Sequence, residues 1–162
     1  MINPNQNPQA FYAYLEMLAV KHKKLQHSEE EQHYFRGELQ DFYEGFRNRV
    51  NFPSLVSESF ELYYNNLESG VWKEREFSFI IINNYKENND YSAIDTAVSM
   101  CEEIGEEIIR KILLDFEDKY NCTLDYGSGI VIENTEKKYI GIRFTLTFKN
   151  CFNENIDKSC WK

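Results

Sequence analysis

Tyr139-Ile140-Gly141-Ile142-Arg143-Phe144-Thr145-Leu146-Thr147-Phe148 decides the fold. Ile140, Ile142, Phe144, Leu146 and Phe148 alternate with Gly141, Arg143, Thr145 and Thr147, the period of a strand with one face buried. Burying those five side chains is worth on the order of 7–15 kcal/mol gross, before chain entropy is counted. Upstream, Ile130-Val131-Ile132 leads through the polar segment Asn134-Thr135-Glu136-Lys137-Lys138 into this run. The two read as a strand pair.

Further back the period changes to that of a helix. Ile94, Ala97, Val98, Cys101, Ile104, Ile108, Ile109, Ile112, Phe116 and Tyr120 follow i, i+3, i+4, i+7, with Glu102, Glu103, Glu106, Glu107, Arg110 and Lys111 opposite. Ser92 and Asp95 suit a capping pair at its start. Before an Asn-rich loop lies Glu76-Phe77-Ser78-Phe79-Ile80-Ile81-Ile82, which begins by alternating and ends wholly apolar, as a central strand covered on both faces does. Phe60, Leu62 and Tyr64 alternate with Glu61 and Tyr63, a half-buried strand, and Asn65–Gly70 reads as the connecting loop.

At the N-terminus, Phe11, Leu15, Leu18, His22 and Leu25 predict a helix over about 8–26 with Pro8 in its first turn. Ser28-Glu29-Glu30-Glu31 is a capping box, after which Phe35, Leu39, Phe42, Phe46 and Val50 predict a second helix ended by Pro53. The expected class is α+β: an N-terminal helical hairpin, then a mainly antiparallel sheet (β-β-α-β-β) packed against one long amphipathic helix. Residues 1–148 read as one domain with 1–8 as a polar N-terminal arm, and 149–162 as a C-terminal docking tail.

With 42% hydrophobic and 28% charged residues in 162, the chain has the composition of a globular domain. Neither a basic, apolar leader nor an apolar run of about 20 residues occurs, so the expected location is the cytoplasm. A net charge of −9 argues against nucleic-acid binding through clustered Lys and Arg. Phosphate loops, Gly-x-Ser-x-Gly and His-Glu-x-x-His are all absent from the sequence. The expectation is therefore no enzyme, no cofactor and no metal.

Each candidate for chemistry has a plainer reading. Cys101, Cys122, Cys151 and Cys160 lack zinc-type Cys-x-x-Cys spacing and read as buried thiols. Glu30-x-x-His33 has the spacing of half a di-iron site but no second half. Glu102, Glu103, Glu106 and Glu107 read as a solvated face steadied by Glu106–Arg110 and Glu107–Lys111. Tyr12, Tyr34, Tyr43, Tyr63 and Tyr85 lie off or beside the core stripes and are candidates for an interface. In the tail, Phe152, Ile156 and Trp161 are apolar anchors, either for the chain's own domain or for a neighbouring subunit.

The run from Val56 through Phe148 resembles the tail-terminator and neck proteins of tailed bacteriophages. The strand Phe77–Ile82, the Asn-rich loop, the helix from near Ser92 and the strand Gly141–Phe148 with its Phe/Trp tail carry the likeness. Abundant Asn, Ile, Lys, Tyr, Phe and Glu with scarce Ala, Gly and Pro match an AT-rich coding sequence, similar to those of the gut crAss-like phages. The resemblance implies a non-catalytic virion subunit, assembled in the host cytoplasm, whose copies form a ring with other neck or tail proteins. The acidic charge would then suit a lumen around passing DNA. A protein-binding adaptor and an enzyme of unrecognised type are the other readings open at this point.

Overall fold

The computed structural model describes residues 7–38, 40, 50–67, 70–86, 90–120, 122–124, 129–136 and 138–151. Helix α1 spans Pro8–Lys21, and Asn7 caps it by accepting the Ala10 amide hydrogen at 3.1 Å. The strands β1 (Tyr34–Arg36), β2 (Ser54–Ser57), β3 (Glu61–Leu67) and β4 (Gly70–Asn84) follow. Helix α2 (Tyr91–Tyr120) then leads to β5 (Cys122–Leu124), β6 (Ile130–Asn134) and β7 (Tyr139–Cys151).

The fold is α+β, with a sheet ordered β1-β2-β4-β7-β5. Strands β4 and β7 are its spine, paired antiparallel from Trp72↔Cys151 to Asn84↔Tyr139. On one flank β3 pairs with the first half of β4, while β2 pairs with its second half. On the other, β6 pairs with the start of β7 and β5 with its later part. All these pairs are antiparallel except β1 with β2.

The two periods read from the sequence meet on one face of the sheet. Phe77, Phe79 and Ile81 of β4 stand level with Leu146, Phe144 and Ile142 of β7. Against them pack Phe11, Leu15 and Leu18 of α1 and Cys101, Ile104, Ile108, Ile112 and Phe116 of α2, all buried. Gly105 is what lets α2 come so close: a Cβ there would stand 2.0 Å from Cε2 of Phe144. The opposite face is apolar at one end only, where Phe35, Val56, Ile80 and Ile82 are buried with Val50, Phe52, Ile132 and Tyr139 against them.

Several expectations are corrected. The N-terminal helical hairpin does not form as read: α1 ends at Lys21, and its intended partner does not begin at Ser28. The Ser28 hydroxyl does accept the Glu31 amide hydrogen, at 3.0 Å, but Ser28 N–H also donates to the Glu31 carbonyl at 2.9 Å, closing a local turn. Phe35, expected on a helical stripe, lies in β1 opposite Val56, because burial there outweighs the local helix signal. Leu39, Phe42 and Phe46 lie outside the described residues.

The supposed loop at 65–70 is largely strand, since pairing continues to Leu67↔Gly70. The cap of α2 is Asp90, not Ser92: its carboxylate accepts the Ala93 amide hydrogen at 3.1 Å. Residues 149–151, assigned to the tail, belong to β7. Of the interface tyrosines, Tyr12 and Tyr85 are buried and Tyr34 is bonded within the fold to Ser57 at 3.0 Å. Tyr63 is exposed, and Tyr43 lies outside the described residues.

Candidate functional site

Strand β3 is held by β4 alone among the described strands and buries little. Every residue from Glu61 to Asn66 is exposed, with Leu62 at 40%, Tyr63 at 43% and Tyr64 at 53%. Natural edge strands are blunted by Lys, Pro, bulges or a covering element. Here the strand Glu-Leu-Tyr-Tyr-Asn-Asn-Leu has neither Lys nor Pro and one charge, Glu61, whose carboxylate accepts the Tyr63 hydroxyl. That bond holds the phenol proton and pushes the Tyr63 pKa up to about 12.

The opposite flank repeats the pattern. Strand β6 pairs with β7 and with no second strand among the described residues, and it exposes Ile130 (55%) and Val131 (54%). The pairing β3-β4-β7-β6 places these two apolar edges on opposite sides of one sheet. Sequence reading found both strands but not their edge positions, because strand order depends on long-range pairing.

The sheet face away from the helices is polar where β3 adjoins it. Arg143 Nη2 donates to Glu58 Oε1 at 2.7 Å, and its Nε lies 2.7 Å from Oε2. Ser78 and Thr145 share a hydroxyl hydrogen bond at 2.9 Å beside this pair. Glu38, Glu61 and Glu76 line the same hollow. Glu58 is buried at 7% exposure, so its charge needs the guanidinium.

Between α1 and α2 lies a cleft of about 500 Å³, floored by Met17, Leu18 and Ile108. Polar bridges span it: Tyr14 Oη donates to Asp115 at 2.7 Å, and His22 Nε2 lies 2.8 Å from Glu107. The Lys24 amide donates to His22 Nδ1 at 3.2 Å, so the neutral ring carries its proton on Nε2 and donates it to Glu107. A carboxylate-oriented imidazole can serve as a base, but no Ser, Thr or Cys is found among the described residues lining the cleft. His22 and Glu107, 85 positions apart in the chain, gave no sequence signal.

The predicted site residues fall apart. Glu30 is exposed, whereas His33 is buried with Nδ1 2.6 Å from the Pro53 carbonyl oxygen. Glu106 pairs with Arg110 as expected, but Glu107 turns across to His22, and Lys111 pairs one turn onward along α2 with Asp115 at 2.6 Å. Cys101 is a free, buried thiol whose burial pushes its pKa up to about 12. Phe152, Ile156, Trp161 and Cys160 lie outside the described residues. Among the described residues, no group of three or more His, Cys, Asp and Glu could hold a metal ion, and no helix is long and apolar enough to cross a membrane. No protein-family model matches the chain, and no curated protein matches its sequence.

Proposed function

We propose that this chain is a structural subunit whose copies assemble into a ring at the neck or tail of a tailed phage, acting through protein contacts and not catalysis. The observation that carries the reading is the pair of unlike apolar edges, β3 and β6, on opposite flanks of one sheet. A surface on one side and a different surface on the other give head-to-tail contacts, which close into a ring when the rotation permits. The phage assignment itself draws on the resemblance of the run Val56–Phe148. A net charge of −9 suits a lumen through which DNA passes without sticking. The anchors Phe152, Ile156 and Trp161 would add a second contact between neighbours.

Charging one edge tests this. Leu62→Lys and Val131→Lys alter exposed positions and leave the core intact, so each variant should fold yet sediment as a monomer where the parent assembles. Parent and variants assembling alike would contradict the reading. Truncation before Phe152 should weaken assembly while sparing the fold, whereas a truncated chain that unfolds would assign those anchors to their own domain.

A further inference from the structure

We infer that the assembly is built by strand addition: β3 of one copy pairs antiparallel with β6 of the next, with Tyr63 opposite Ile132 and Tyr64 opposite Val131. The inference rests on the ring reading and adds its contact surface and register.

Three constraints select that register. The first is direction. Strands β3 and β7 both run antiparallel to β4, and β6 runs antiparallel to β7, so β3 and β6 point opposite ways. A sheet that continues from one copy to the next without reversing its strand directions therefore brings these two edges together antiparallel.

The second is facing. Tyr63 stands level with Glu74 of β4, while Ile132 stands level with Gly141 and, through it, Ile82. Positions 74 and 82 are an even number of residues apart, so both side chains lie on the same sheet face. A slip of one residue would turn the helical face of one copy onto the opposite face of the next. A continuous sheet with every helix on one side excludes it.

The third is charge and side-chain complementarity. With Tyr63 opposite Ile132, Glu61 falls opposite Asn134, Leu62 opposite Glu133 and Asn65 opposite Ile130, so no like charges meet. Tyr63–Ile132 and Tyr64–Val131 are aromatic–β-branched pairs, favourable cross-strand neighbours. Sliding two residues one way puts Tyr64 against Glu133 and Asn65 against Ile132, losing both pairs; sliding two the other way keeps one such pair, Tyr63–Ile130, but sets Tyr64 against Gly129 and the Glu61 carboxylate against Ile132.

The outline of the sheet accommodates this step. Strands β1 and β2 lie beside the second half of β4, and β3 beside its first half. The eight-residue offset between levels 74 and 82 keeps β1 and β2 of one copy clear of β6 of the next. At about 3.3 Å per residue the offset is roughly 26 Å, across four strand spacings totalling about 19 Å. Closing the ring then tilts the strands by about 54° from its axis, steeper than the roughly 35–45° common in barrels.

Cysteine cross-linking tests the register. Full-length Tyr63→Cys and Ile132→Cys proteins are mixed, oxidised and read by peptide mass spectrometry, with circular dichroism checking the fold. A second mixture uses Tyr64→Cys with Val131→Cys, because one of the two pairs has the shorter Cβ separation. At least one mixture should give the named cross-link between copies, and the off-register mixture of Tyr64→Cys with Ile132→Cys should give none. If the protein assembles but cross-links only off-register, the inference fails and the ring reading stands. If neither parent nor variants assemble, the ring reading fails and takes this inference with it.

Discussion

Replacing Gly105 by Ala sets two effects of opposite sign against each other. In an exposed helix the change stabilises by about 1 kcal/mol, since Gly is the weaker helix former. Here the new methyl would sit 2.0 Å from Cε2 and 2.3 Å from Cζ of Phe144. Ordinary carbon contacts are about 3.5–4.0 Å, so the ring or the helix must retreat by roughly 1.5 Å. The ring has little room: Phe144 is 5% exposed and stacks on Phe79 with centroids 5.3 Å apart. Overpacking of this kind costs about 1–3 kcal/mol, and an overlap this large belongs at the upper end. The expected net loss is about 2 kcal/mol, read as a lowered urea midpoint at unchanged slope. Gly105→Ala combined with Phe144→Leu, which trims the ring edge, should be less unstable than the two single losses added. A Gly105→Ala protein more stable than the parent would refute the close approach of α2 to the sheet.

Other outcomes follow from single environments. Arg143→Met should cost about 3 kcal/mol, the low end for breaking a buried ion pair because the Arg143 side chain is one-third exposed, and Glu58→Gln alongside it should recover part of the loss in a denaturation series. The Cys101 thiol, with its pKa at about 12, should resist a thiol reagent at pH 8 until denaturant is added; labelling of Cys101 in the folded protein would contradict its placement. Burial lifts the Tyr34 phenol from 10.0 to about 12. The neutral form is the one the fold favours, so this contribution is complete below pH 10 and is lost as pH rises towards 12. Tyr34→Phe should lessen that alkaline loss in pH-dependent melting.

What could be read from sequence was what needs no partner to be visible. The alternation in Ile140–Phe148 and the 3.6 period in Ile94–Phe116 each mark a face, and the five strand residues and most of the helical ones are buried. Strands β1 and β2 are three and four residues long, too short to establish a period, and they are paired through contacts some twenty residues apart. Phe35 therefore read as part of a helical stripe that tertiary pairing overrides. Gly105 was invisible for another reason: a search for large apolar residues passes over the position whose missing side chain sets the helix–sheet distance. Edge status was hidden likewise, since Leu62 and Val131 look like buried strand residues until the strand order leaves them outside.

The central claim is that the exposed edges exist to join copies of this chain. Native mass spectrometry of the full-length protein, across a concentration series in volatile buffer, tests it most directly. The account predicts a discrete species at a fixed multiple of 19.3 kDa, which Leu62→Lys returns to the single-chain mass. A single-chain mass at every concentration, with or without the other proteins of its particle, would contradict it.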